Sequence, residues 1–215
     1  AGLENGFTAS TTFTSEKTTF VFSENKTYSP ANYNNNYGNK PISMPAALAY
    51  SDNIYAVKTH LFLGEDTLVN LLKRIGITTD IAAVPSLALG SEEMGLIDMT
   101  SAYATLANLG YKVNPTLIQK VEDMNGNVLY ENKNTKEAVL NSSLAYIMNE
   151  NLTSTYNYNF IDYNYPTCHD IKSTLKHKYS IKTGTTNSDH LVFGYNSNIV
   201  VGMWSGYDDN SDSDL

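Results

Sequence analysis

In "SIKTGTTNSD" (residues 180–189) a lysine stands two residues before a glycine, with hydroxyl side chains on either side. Lys182, Thr183, Thr185 and Thr186 put an ammonium and three hydroxyls on what reads as a β-strand, a combination suited to holding a carboxylate. Gly184 has no side chain, so an extended ligand could lie against the strand and add main-chain hydrogen bonds. Pleating would place Lys182 and Gly184 on one face and Thr183 and Thr185 on the other. Taken alone, the motif reads equally well as an edge strand with an exposed lysine. A second candidate is the tripeptide Ser51, Asp52, Asn53, which falls inside a predicted helix although Ser and Asn are mediocre helix formers and Asp competes with the backbone.

The elements that must position these residues are legible as changes of period. Residues 8–30, with "TTFTSEKTTFVFS", alternate as extended structure. From about Pro41 the apolar residues recur at helical spacing, with Ile54, Val57 and Leu61 on one face. Gly64 and Gly76 read as helix stops, and Glu65, Asp66 and Thr67 open the next helix. Further helices are predicted over 95–110 and 139–154. Between them lies a hairpin at 116–131, where Asn125 and Gly126 supply positive φ. Three strands, "KYSIKTGTT", "HLVFGYN" and "NIVVGMWSGYD", follow. A helical region over about 41–155 followed by antiparallel strands over about 178–209 indicates an α+β fold.

Composition narrows the function classes. The chain has 215 residues, 41% hydrophobic and 17% charged, with a formal net charge of -8. That balance fits a globular protein and gives no basic stripe for nucleic acid. The single cysteine, Cys168, excludes an internal disulfide, and no apolar stretch is long enough for a membrane span. His60, His169, His177 and His190 lack metal-ligand spacing, so no metal or cofactor is expected. Two segments, "ANYNNNYGNK" (31–40) and "TSTYNYNFIDYNYP" (153–166), are rich in Asn and Tyr. They read as Asn-rich loops rather than as a carbohydrate-stacking surface.

Taken together, Ser51-Asp52-Asn53 and Lys182-Thr183-Gly184 match two of the three signatures of the penicilloyl-serine transferases, S-x-x-K, S-x-N and K-T-G. The chain resembles the transpeptidase domain of class A high-molecular-mass penicillin-binding proteins. The similar blocks run in order: "SPANYNNNYGNKPISMPAALAYSDNIYAVK", "PSLALGSEEMGLIDMTSAYATLANLGY", "VEDMNGNVLYE" and "IKTGTTNSDHLVFGYNSNIVVGMWSGYDDN". The resemblance implies a fold like that of these proteins and the serine β-lactamases, an antiparallel sheet with a helical subdomain, here incomplete at both ends. It implies acyl transfer, in which a serine attacks the penultimate D-Ala carbonyl of a peptidoglycan stem and an amine of a neighbouring stem resolves the acyl-enzyme. By the same resemblance Ser51 lies in the proton path and Asn53 bonds the substrate amide. Lys182, Thr183 and Thr185 hold the substrate carboxylate, Thr186 joins the substrate-binding group, Gly184 gives room, and the Thr185 N–H is an oxyanion donor. Stem peptides ending in D-Ala-D-Ala and β-lactams are the implied partners. The implied location is the outer face of a bacterial cell membrane, with the anchor on a longer parent.

The sequence departs from this pattern at the nucleophile. Neither "SENK" (Ser23 to Lys26) nor "STLK" (Ser173 to Lys176) suits the S-x-x-K role: the first sits in a polar turn, and the second follows S-x-N. The resemblance places the catalytic serine and its lysine a few residues before Ala1. The expectation is therefore a partial domain, inactive by itself and prone to associate with a complementary upstream piece. Leu191 and Val192 stand where an aromatic pair is usual, with Phe193 and Tyr195 left to supply aromatic bulk. A non-catalytic module that binds peptidoglycan or β-lactams, and a D,D-carboxypeptidase or β-lactamase relative, are the alternatives.

Overall fold

The β-branched and aromatic runs near the start of the chain form three short strands in the computed structural model, which describes residues 1–133 and 135–213. These are β1 (Thr12–Ser15), β2 (Phe20–Val21) and β3 (Thr27–Tyr28), with β2 and β3 paired antiparallel. A fourth strand, β4 (Lys40–Ser43), pairs with β1 and occupies the point where helix was expected to begin. Pro41 fits there because a two-stranded ribbon has a free edge that needs no N–H. β4 leads directly into α1 (Met44–Tyr50), whose first turn holds Pro45.

Four more helices follow: α2 (Asn53–Leu63), α3 (Glu65–Ile75), α4 (Leu96–Ala107) and α5 (Ser142–Asn151). As the sequence indicated, Gly64 and Gly76 end helices. Gly76, at φ 109°, donates its N–H to the carbonyls of Leu72 and Lys73, and Glu65 and Asp66 lie in the first turn of α3. One apolar cluster joins Leu3, Phe7, Ile42, Met44, Ala47 and Tyr55; another joins Val69, Ile77, Ile81 and Leu87 under α3.

The predicted hairpin forms from β5 (Lys120–Glu122) and β6 (Val128–Glu131), although of its two turn residues only Gly126 has positive φ. The Asp123 carboxylate instead folds the turn, accepting the backbone N–H groups of Asn125 and Asn127 at 2.8 Å each.

The last three strands, β7 (Ser180–Thr185), β8 (Asp189–Tyr195) and β9 (Val200–Gly206), form an antiparallel sheet in that order, so β7 is an edge. Register sets Lys182 opposite Phe193 and Thr185 opposite His190. α4 covers one face of this sheet. Tyr103 stacks on Phe193 with ring centroids 4.6 Å apart, and burial pushes the Tyr103 phenol up to about 12. Phe193 and Tyr195 are both buried, so they supply the aromatic bulk that Leu191 and Val192 do not.

The approach of α4 to the sheet depends on Gly202. A Cβ there would lie 2.1 Å from Thr100 Oγ1 and 2.8 Å from the Phe193 ring. Gly202→Ala should therefore destabilise the fold by about 1–3 kcal/mol through overpacking. A denaturant midpoint equal to that of the unsubstituted chain would show that α4 does not sit this close.

Candidate active site

The S-D-N tripeptide lies at a break between two helices, not inside one as its surroundings suggested. α1 ends at Tyr50, Ser51 turns into the left-handed region at φ 52°, ψ 50°, and Asp52 caps α2. The cap is made by Asp52 Oδ1, which accepts the Tyr55 N–H at 2.8 Å. Oδ2 accepts from Asn32 Nδ2 at 2.6 Å, from Tyr163 OH at 3.0 Å and from Ser15 Oγ. A left-handed non-glycine residue costs about 1–2 kcal/mol. Hydrogen bonds to a charged group contribute about 1.5–3 kcal/mol each, so the carboxylate network outweighs the strain at Ser51 and helical periodicity does not carry through.

Lys182 reaches this break from β7. Its Nζ donates to Ser51 Oγ at 3.0 Å and to the Thr183 carbonyl. Burial lowers the Lys182 pKa, with the nearby Cys168 opposing the shift more weakly. Cys168 is itself buried, and its backbone N–H donates to the Thr155 carbonyl at 2.7 Å. The two motifs thus meet across 131 residues of sequence.

The other candidates are distributed around this contact. Asn53 opens α2; its Nδ2 donates to the Ala31 carbonyl at 2.7 Å and its backbone N–H to Asn32 Oδ1 at 2.9 Å. Thr183 is half-buried and Thr185 exposed, at the end of the edge strand. The Thr186 hydroxyl is taken up by the β7–β8 turn, where it accepts the N–H groups of Ser188 and Asp189 at 3.2 and 2.9 Å. Gly184 has ordinary strand backbone, and a Cβ there would meet only Leu191 at 3.5 Å. Nothing in the fold itself requires glycine at that position.

Lys182 also stands at the wall of an apolar cavity of about 320 Å³, lined among others by Leu48, Leu72, Ile75, Tyr103, Leu106 and Met148. Neither S-x-x-K string contributes to it. Ser23 lies in an exposed turn where Lys26 pairs with Glu24 at 3.1 Å, and Ser173 lies in the exposed turn His169–Thr174.

Sequence reasoning passed over Ser15, Asn32 and Tyr163, which converge on Asp52 from three distant segments. Only the concentration of Asn and Tyr in 31–40 and 153–166 pointed their way, and these segments are not plain loops. Short 3-10 turns at Tyr33–Asn35, Leu152–Tyr156 and Tyr158–Phe160 fold them against the helices. Asn36 Nδ2 donates to the Tyr163 carbonyl at 2.6 Å, and Lys40 pairs with Asp162.

An edge strand bearing Lys-Thr-Gly thus faces a Ser-x-Asn break between two helices, in an α+β fold whose antiparallel sheet is covered on one face by α4. The whole of residues 1–215 matches the family described as penicillin binding protein transpeptidase domain, and the chain belongs to that family. It is 46% identical over 213 residues to penicillin-binding protein 2D of Bacillus subtilis (strain 168), covering 99% of this chain and 31% of that protein. Its fold is similar to that of penicillin-binding protein 1A from Haemophilus influenzae, with a TM-score of 0.87 and 26% identity over 97% of this chain and 36% of that one. It also resembles the fold of the penicillin-binding protein PonA1 from Mycobacterium tuberculosis in complex with penicillin V, at TM-score 0.73 and 21% identity, covering 100% of this chain and 58% of that chain. The chain thus spans about a third of the length of the Bacillus subtilis and Haemophilus influenzae relatives.

At the start of β8, Asp189 ties the β7–β8 turn to β9. Its Oδ1 accepts from Trp204 Nε1 at 2.7 Å and its Oδ2 from Ser188 Oγ at 2.8 Å, and these bonds, the Trp204 one foremost, lower its pKa below the ordinary 3.8. A depressed carboxylate contributes stability that is fully present above pH 3.8 and lost as pH falls through the lower folded-state value. Trp204 is the only tryptophan in the chain, so its emission should titrate with a midpoint below 3.8, and Asp189→Asn should abolish the step. A midpoint at or above 3.8 would contradict the bond.

Proposed function

We propose that the chain forms the Ser-x-Asn and Lys-Thr-Gly walls of the acyl-transfer cleft of a D,D-transpeptidase that cross-links peptidoglycan stem peptides. The observation that carries this reading is the 3.0 Å hydrogen bond from Lys182 Nζ to Ser51 Oγ, which joins the two motifs in one cleft. A serine carried on an S-x-x-K helix from outside these residues attacks the penultimate D-Ala carbonyl. The Oγ–C bond forms, the amide C–N bond breaks, and the proton leaving the serine is delivered to the departing D-Ala amine. Lys182 and Ser51 are the relay for that proton: a buried ammonium with a lowered pKa gives its proton to the Ser51 hydroxyl more readily than an exposed one. The apolar cavity beside Lys182 receives the serine-bearing helix.

The remaining candidates take roles that fit their positions. Asn53 offers its second amide N–H and its Oδ1 to the substrate backbone, since the first N–H is bonded to Ala31. Thr183 and Thr185, with the ammonium of Lys182, hold the substrate carboxylate, and the Thr185 N–H is one oxyanion donor. Thr186 acts through the turn it shapes rather than through a free hydroxyl. Gly184 lets the stem lie against the free edge of β7, which explains a glycine that the fold does not demand. β-Lactams enter the same cleft and remain as acyl-enzymes. The parent polypeptide works at the outer face of a bacterial membrane; among the described residues no helix is long and apolar enough to cross one.

A non-catalytic binding module is the second reading, favoured by the position of both S-x-x-K strings away from the cleft. Intact mass after incubation with labelled penicillin separates the two. An adduct is expected only on a longer polypeptide that includes the S-x-x-K helix. Labelling of the 215-residue chain would implicate Ser23 or Ser173, and labelling of neither would favour the binding module. In the longer polypeptide, Lys182→Ala should slow acylation by about 100-fold or more. Gly184→Ala should leave the melting temperature within about 1 °C while cutting the labelling rate, because the added methyl meets ligand rather than protein. A large loss of stability instead would mean that the glycine serves the fold.

A further inference from the structure

Asp52 is a buried carboxylate, 4% exposed, immediately between the two residues of the S-x-N motif, and the proton path does not use it. Three of its hydrogen-bond donors come from separate parts of the chain: Ser15 at the end of β1, Asn32 in the first Asn/Tyr-rich segment and Tyr163 in the second. We propose that Asp52, Asn32 and Tyr163 are positioning residues that set the geometry of Ser51 and Asn53, so that the two Asn/Tyr-rich segments belong to the active site as its supporting shell. This rests on the acyl-transfer reading.

Connectivity makes the case. Asn32 touches both sides of the break: its Nδ2 donates to Asp52 Oδ2, while its Oδ1 accepts the Asn53 N–H at 2.9 Å and approaches the Ile54 N–H at 3.4 Å. One amide therefore fixes the carboxylate and the first turn of α2 together. Ser51, which Lys182 addresses at 3.0 Å, is the left-handed residue directly before this anchor. A rotation of the Asp52 backbone would therefore re-aim the adjoining Ser51, whose hydroxyl meets Lys182. Tyr163 is itself held from two sides. Its ring lies 4.7 Å from that of Tyr50, and a Cβ on Gly38 would come within 2.8 Å of it. With the ring so clamped, the hydroxyl has a fixed aim at Asp52 Oδ2.

The chemistry of the hub also dictates which substitutions are informative. Every partner of the Asp52 side chain is a donor, namely two hydroxyls, one amide NH2 and one backbone N–H. A carboxylate accepts them all, whereas an asparagine must turn its own NH2 toward one side of the cluster. Asp52→Asn can keep the helix cap, for which Asn is as good as Asp, only by opposing its NH2 to that of Asn32 and making the Ser15 and Tyr163 hydroxyls reverse from donor to acceptor. Tyr163→Phe keeps the clamped ring and removes one donor.

Both variants are to be made in the full-length parent protein that carries the S-x-x-K helix. Acylation by a fluorescent penicillin is followed over a concentration series, so that the first-order acylation constant separates from the apparent dissociation constant. Amide hydrogen exchange at residues 51–54 is measured on the same samples. Expected are a fall in the acylation constant of about 10-fold for Tyr163→Phe and about 100-fold for Asp52→Asn, with the dissociation constant nearly unchanged. Faster exchange at Asn53 and Ile54 should accompany it. An unchanged acylation constant in folded Tyr163→Phe and Asp52→Asn proteins overturns the proposal, and if Asp52→Asn does not fold, Tyr163→Phe decides alone. Should the unsubstituted protein take no penicillin, the acyl-transfer reading fails by itself. The exchange data then judge the positioning: faster exchange at 53 and 54 in Tyr163→Phe sustains it, and unchanged exchange refutes it.

Discussion

A single buried carboxylate must be satisfied, and much of the arrangement around the cleft follows from that requirement. Leaving an ionised group without partners in a protein interior costs several kcal/mol, so Asp52 imposes its demand for donors on whatever surrounds it. The chain meets the demand by drawing β1, both Asn/Tyr-rich segments and the first turn of α2 to one point. The same point forces the break between α1 and α2, because a residue capping one helix cannot continue another. Ser51 is placed by this conflict: it takes the left-handed conformation that lets the chain turn, and the turn brings its hydroxyl to Lys182.

The opposite wall is built by different means. β7 owes its position to the sheet and to the helices over it: Ser180 Oγ donates to the Asn149 carbonyl at 2.8 Å, and Tyr195 OH donates to Asn149 Oδ1 at 2.8 Å. Tyr103, Phe193 and Tyr195 fill the space between α4 and the strands. Lys182 lies on the same face of β7 as Ser180, and its burial there disfavours the ammonium. Its head rests on a serine hydroxyl and a backbone carbonyl, beside an apolar cavity.

Between these walls the protein leaves one strand edge free. Gly184 keeps that edge unobstructed, while Asp189 and Trp204 pin the turn beyond it. The Thr186 hydroxyl is spent on that turn, where it accepts the N–H groups of Ser188 and Asp189.

The sequence by itself determined a good deal. Helical period, glycine stops and the strand runs gave the order of elements and the α+β class, because these signals are local and each residue carries them regardless of its distant partners. Lys182 and Ser51 were ambiguous when read singly and became candidates only through the resemblance to the transpeptidases, which rested on blocks that run in order along the chain. What tertiary structure alone decided was the meaning of residues whose local signal is weak or contrary. β4 lies where the helical pattern was expected to start, since pairing with β1 overrides a local preference. Asp52 breaks a helix that periodicity would have continued, because three of its partners are 20 to 111 residues away. Asn32 and Tyr163 looked like unremarkable members of Asn- and Tyr-rich runs. Only packing selects, from many such side chains, the two whose donors meet a buried charge, since a hydrogen bond depends on distances that composition does not encode.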